Sequence, residues 1–96
     1  MTAPARTVQE FTTSLSGDEV LKRAKTFFAT RPSIYSAFID KEGPGFCSFR
    51  GQGGEEIVIA TSVGPDGMST RVTGSSYLFD MQISRFFATL TPVDGQ

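Results

Sequence analysis

The chain has no histidine, no tryptophan and a single cysteine in 96 residues. Without histidine it lacks the commonest general base at neutral pH and the commonest zinc ligand. One thiol, Cys47, excludes an internal disulfide and leaves no thiolate cluster for a metal. Neither sign of charge dominates, since nine basic and ten acidic side chains give a net charge of −1. A large electrostatic footprint for nucleic acid or an anionic membrane is therefore not expected. No run of about 18 apolar residues occurs, and the first fifteen lack the apolar stretch of a signal peptide, so a cytoplasmic location is the expectation. No metal or cofactor is implied. The length suits one domain over 1–96, with 1–6 frayed and 91–96 a tail, and a chain of this size buries roughly two thirds of its unfolded surface.

What is present is a series of periodic segments divided by turn residues. Val8 to Leu15 carries Phe11, Thr13 and Leu15 on one side at period two, the pattern of a half-buried strand. Next, Ser16 and Glu19 have the spacing of a capping box, and Leu15 and Val20 that of a hydrophobic staple. A helix follows whose stripe is Val20, Leu21, Ala24, Phe27 and Phe28, opposite Lys22, Arg23 and Lys25, and Pro32 ends it at Arg31. The runs SIYSAFID, FCSFR, EEIVIATSV and MSTRVTGS, separated by KEGPG, GQGG and GPDG, then predict four strands of an antiparallel meander. The stretch GSSYLFDMQISRFFATLTP closes the series. Ser75 and Ser76 are possible N-caps, Asp80 suits the dipole of the first turn, and Phe79, Ile83, Phe86, Phe87 and Leu90 fall in one stripe. The expected fold is α+β, of order β-α-β-β-β-β-α: a sheet of about five antiparallel strands, two helices on one face and the C-terminal helix across it.

Turn positions also predict registers. Around GPDG, Val63 is expected opposite Met68, Thr61 opposite Thr70 and Ile59 opposite Val72. Around GQGG, Arg50 is expected opposite Glu55, and around KEGP, Asp40 opposite Gly45. In the absence of bulges, one face then carries Tyr35, Ala37, Ile39, Phe46, Ile57, Ile59, Val63, Met68 and Val72. The other carries Ile34, Phe38, Cys47, Phe49, Val58 and Ala60, with Glu56 and Arg71 among them. Two helices cover one face only, so the second is expected to expose an apolar patch of the kind that marks an interface.

Few residues invite chemistry. Glu55 and Glu56 are adjacent in a strand and point to opposite faces, so they cannot converge on one substrate atom, and an ion pair between Glu55 and Arg50 is the simpler expectation. Cys47 has no histidine to activate it and is expected as a small buried or interfacial hydrophobe. The glycines of GPGF and GQGGEE lead into no helix and are expected to serve turns. Arg71 and Glu56, on adjacent strands of one face, are the pair best placed for a polar head group or an interfacial ion pair.

The segment DGMSTRVTGSSYLFDMQISRFFATL resembles the closing part of the START-type, polyketide-cyclase-like helix-grip superfamily. Gly67, Thr70, Arg71 and Val72 match its final strand, and Tyr77 to Leu90 its long C-terminal helix. The resemblance implies a curved sheet gripping that helix, often around an apolar small molecule or lipid. This chain is some 40 residues shorter than that pattern and lacks two strands and a small helix. Two functional expectations follow. The first is a non-catalytic domain that self-associates, as a dimer, or docks on a partner protein through Ile34, Phe38, Cys47, Phe49, Val58 and Arg71. The second is a reduced helix-grip carrier that holds an apolar molecule between sheet and last helix, against Tyr35, Phe46, Ile59, Met81 and Phe86. Enzymatic function is the least supported class, since no nucleophile and base can be assembled.

Overall fold

The computed structural model describes residues 7–31 and 35–93. Its order is β1 (Thr7–Thr13), α1 (Gly17–Ala29), β2 (Ala37–Gly43), β3 (Phe46–Gly51), β4 (Glu56–Val63), β5 (Thr70–Ser76) and α2 (Asp80–Phe87). The five strands form one sheet in the order β1-β5-β4-β3-β2, and each pairs with its neighbours antiparallel. The fold is therefore the expected α+β arrangement, with β1 placed at the edge beside β5. That position requires α1 to carry the chain across the sheet from the β1 edge to the β2 edge.

Helix α1 begins where the sequence places it. The Ser16 hydroxyl accepts the N–H of Glu19 at 3.2 Å, one half of the capping box. The other half is absent, because the Glu19 carboxylate instead takes Arg23 at 2.9 Å one turn on. Val20, Ala24 and Phe28 are buried, with Leu21 and Phe27 half-buried beside them. Helix α2 is shorter than expected. β5 continues through Ser76, so neither Ser75 nor Ser76 is an N-cap; Ser76 Oγ accepts the N–H of Phe79 inside the link, and Tyr77 and Leu78 are left outside the helix. Ile83, Phe86 and Phe87 of α2, with Phe79 before it and Leu90 after it, complete the core. Phe86 lies 5.5 Å from Phe28 and 5.4 Å from Phe27 between ring centroids, and Phe28 lies 5.1 Å from Phe49. These rings join the two helices to each other and to the sheet.

The strand registers depart from expectation in three places. Between β3 and β4 the loop is three residues, not four: Gly54 takes a φ of 88°, and Gly51 N–H donates to Glu55 C=O at 2.7 Å. Glycine alone enters that region without penalty, and the tighter loop moves the partner of Arg50 from Glu55 to Glu56. A slip of one residue turns a strand over. Cys47 and Phe49 accordingly lie opposite Ile59 and Ile57 on the helix-covered face, and Phe46 lies opposite Ala60 on the other. Between β2 and β3, Gly43 pairs with Phe46, and a bulge between Ile39 and Lys41 restores Ala37 and Ile39 to the face of Phe49. Between β4 and β5, Val63 pairs with Thr70, since the Asp66 carboxylate accepts the N–H groups of Met68 and Ser69 and keeps Met68 in the loop. This shift is two residues, so Ile57, Ile59 and Val72 keep their common face.

Candidate functional site

Both helices pack on one side of the sheet, and no described element covers the other. Reading across it, the outward positions are Val8, Glu10 and Thr12 on β1; Arg71, Thr73 and Ser75 on β5; Glu56, Val58, Ala60 and Ser62 on β4; Phe46, Ser48 and Arg50 on β3; and Phe38 and Lys41 on β2. The centre is built of small side chains and the half-buried Val58. Phe38, 59% exposed, and Phe46 stand at the β2 side, and Val8 at the β1 side. Ser48, within the β3 row, is buried, and its hydroxyl has no hydrogen-bond partner among the described residues.

Charge sits at the two ends of this face. Arg50 lies 3.3 Å from Asp40 and 3.6 Å from Glu56, and it also donates to Gly54 C=O. Arg71 Nε lies 3.4 Å from Glu10 Oε1, in reach for an ion pair but not aligned for a hydrogen bond. Each positive side chain on these ends has a carboxylate within reach. Arg71 and Glu56 are not a pair: six residues of β4 separate Glu56 from Ser62, the residue opposite Arg71, on the order of 20 Å of strand. Glu55 does not pair with Arg50 either, because its carboxylate caps the loop by accepting Gly53 N–H at 3.0 Å.

The predicted interface residues are thus divided. Phe38, Val58 and Arg71 lie on the open face. Cys47 and Phe49 lie in the core, a correction that follows from the three-residue loop before β4. Ile34 lies outside the described residues. Cys47 is fully buried, and burial pushes its thiol up to about 11, with Lys25 opposing and Glu42 adding to the shift. It remains a protonated thiol at neutral pH, which makes it a packing group.

The predicted carrier residues are dispersed in the same way. Ile59 and Phe86 are fully buried in the core, so the space between sheet and α2 at those residues is filled by side chains. Phe46 lies on the open face, where it pairs across the β2–β3 turn with Gly43. Tyr35 and Met81 line a surface depression of about 260 Å³ together with Leu78, Phe79, Gln82 and Arg85. Tyr35 meets Phe79 edge-on at 5.8 Å, and Gln82 Oε1 accepts from Arg31 Nε at 3.0 Å. Leu78, which widens the apolar stripe of the sequence beyond what a core needs, thus faces a depression, whereas Gln82 was not legible as part of any site, because it falls within a stretch whose apolar width obscures which side is core.

A larger open groove of about 460 Å³ runs along β1, lined by Gln9, Phe11, Ser84, Phe87, Ala88, Leu90 and Pro92. Gln9 anchors it. Its Nε2 donates to Asp80 C=O at 2.7 Å and its Oε1 accepts the Ser84 hydroxyl at 2.6 Å, which ties α2 to the edge strand. The signal in the sequence was a glutamine on the inward side of a period-two strand, where an aliphatic residue is usual.

Among the described residues no three histidine, cysteine or carboxylate side chains come together as a metal site, and no helix is long and apolar enough to cross a membrane. No family model matches the chain, and no curated protein matches it.

Proposed function

We propose that this chain is a non-catalytic, cytoplasmic interaction domain that self-associates or docks on a partner protein through the open face of its sheet. The observation that carries the reading is the placement of both helices on one side, which leaves a five-stranded face without a covering layer among the described residues. Five strands spaced about 4.8 Å apart, each near seven residues at about 3.3 Å, span on the order of 500 Å² in projection, which approaches the roughly 800 Å² per partner of an ordinary protein interface. The paired charges at its two ends leave no single-signed field to repel a protein surface. Kinship with the helix-grip superfamily, in a shortened form, accords with an antiparallel sheet that carries the C-terminal helix across it.

The test compares Phe38→Glu with Phe49→Glu. Phe38→Glu is expected to keep the fold, by circular dichroism and urea melting, while abolishing partner capture or self-association measured by sedimentation. Phe49→Glu is expected to unfold the chain, since it buries a carboxylate in the core. A Phe38→Glu variant with unchanged assembly would remove the open face from consideration.

A second reading rests on the depression beside Tyr35 and Met81. Its walls combine the apolar Leu78, Phe79 and Met81 with Tyr35, Gln82 and Arg85, and the Arg85 guanidinium has no carboxylate partner among the described residues. This suits a small apolar acid in place of a lipid held under the helix. Native mass spectrometry of freshly purified protein checks it: a bound small acid, lost in Arg85→Ala, is the expected result.

A further inference from the structure

We infer that two copies of this chain pair through β1, edge to edge and antiparallel, so that their two sheets continue into one. This goes beyond docking through the open face and does not depend on it.

The two edges of the sheet differ. β2 is blunted by its bulge and by the consecutive charges of Asp40, Lys41 and Glu42, the last held by Lys25 at 2.6 Å. β1 has no bulge: its pairing with β5 runs unbroken from Thr7 opposite Ser76 to Thr13 opposite Thr70. The chain itself already uses the outer side of β1 at one end, where Thr13 pairs with Pro92 and Ser14 N–H donates to Thr91 C=O at 3.1 Å. Proline has no N–H, so this pairing runs through the flanking residues and sets which backbone groups face outward. By the alternation of a strand, the N–H and C=O groups of Val8 and Glu10 point out of the sheet edge, and among the described residues nothing takes them.

A two-fold axis at Gln9 satisfies those groups. Val8 of one copy then exchanges backbone hydrogen bonds with Glu10 of the second, and Glu10 with Val8, while the two Glu10 carboxylates sit diagonally and each stays beside its own Arg71. An axis at Glu10 would set the two carboxylates directly opposite each other, which is unfavourable. The same axis at Gln9 brings the helices together. α2 packs over β1 and β5, so with strands about 4.8 Å apart the two α2 helices meet at roughly 10 Å, the spacing of packed helices. Of the groove residues at α2, Phe87 is turned into the core, and the exposed ones, Ser84 and, one turn on, the C-cap Ala88, are small enough for that approach. The groove beside Phe11 and Leu90 is filled in the process, and Val8, 67% exposed on the open face of the single chain, gains Glu10 of the second copy as its cross-strand neighbour.

Sedimentation velocity on the full chain tests this, from low to high micromolar concentration. The wild type is expected to dimerise. Val8→Pro removes the outward N–H without touching the bonds to β5, and is expected to weaken the dimer at least about tenfold while leaving the single chain folded. Val8→Glu, set against the second copy's Glu10, is expected to weaken it in a manner relieved by salt, whereas Val8→Lys is expected to preserve or tighten it. Three outcomes overturn the inference: a wild type that stays monomeric at high micromolar concentration, whatever else then pairs with β1; a dimer indifferent to Val8→Pro; or a dimer in which Val8→Glu and Val8→Lys behave alike. A dimer lost in Phe38→Glu but kept in Val8→Pro belongs to the open face instead.

Discussion

Ile83 of α2 rests directly on the backbone of Gly74 in β5, so closely that a methyl group built on Gly74 would come within 2.6 Å of Ile83 Cγ2. The glycine is what lets the helix lie down on the sheet, and Ile59 and Phe87 close the same contact at 3.3 Å. Gly74→Ala is expected to destabilise the domain by about 1 to 3 kcal/mol through overpacking, despite the better strand propensity of alanine. Urea denaturation measures it, and an unchanged midpoint would show that α2 can lift off the sheet without cost.

The apolar width of the stretch from Tyr77 to Leu90 divides into core and surface. Phe86 is fully buried among Phe27, Phe28 and Phe87, and Phe86→Ala is expected to cost about 3 to 5 kcal/mol. Leu78 is 70% exposed, and Leu78→Ala is expected to stay within about 0.5 kcal/mol of wild type. Paired urea melts check both, and a loss at Leu78 as large as that at Phe86 would place Leu78 in the core.

Asp66 organises the turn before β5. Its carboxylate accepts the N–H of Ser69 at 2.8 Å, that of Met68 at 2.9 Å and the Ser69 hydroxyl at 2.7 Å, and these bonds lower its pKa from 3.8 to about 2. A carboxylate depressed by folding stabilises the fold above its unfolded-state value and loses that contribution as pH falls through its folded value. The Asp66→Asn variant is therefore expected to be less stable than wild type at neutral pH, with the gap closing between 3.8 and about 2. Thermal melts across that range, and the carboxyl titration followed by NMR, test the sign.

Cys47 behaves in the opposite sense. Its thiol is held neutral by burial, with a pKa raised from 9.0 to about 11. Above pH 9 the unfolded chain gains by ionising and the folded one does not, so stability is expected to fall between 9.0 and about 11, and Cys47→Ala to flatten that slope. At pH 8 a soluble disulfide reagent is expected to modify Cys47 only as fast as the protein opens. Instant reaction in native buffer would contradict its burial.

The sequence alone determined the elements and their order. Capping chemistry at Ser16, the apolar stripes of Val20 to Phe28 and Phe79 to Leu90, and the turn residues of GPDG and GQGG act within a few residues of each other, so their meaning survives without any tertiary context. Three matters were decided only by the tertiary structure. The first was the face on which Cys47 and Phe49 lie, because a left-handed Gly54 shortened one loop by a single residue and the side-chain period of a strand is two. The second was where α2 begins, because β5 keeps Ser75 and Ser76 by pairing with β4 on one side and, on the other, with β1, a strand distant in sequence that no local signal at those serines reveals. The third was the place of β1. Nothing in TVQEFTT specifies a neighbour; the strand goes beside β5 because Gln9 and Phe11 there meet α2, with Gln9 bound to Asp80 and Ser84 and the Phe11 ring 5.8 Å from that of Phe87. Pairing between segments some 60 residues apart depends on what the whole sheet buries, and that is a property of the assembled core.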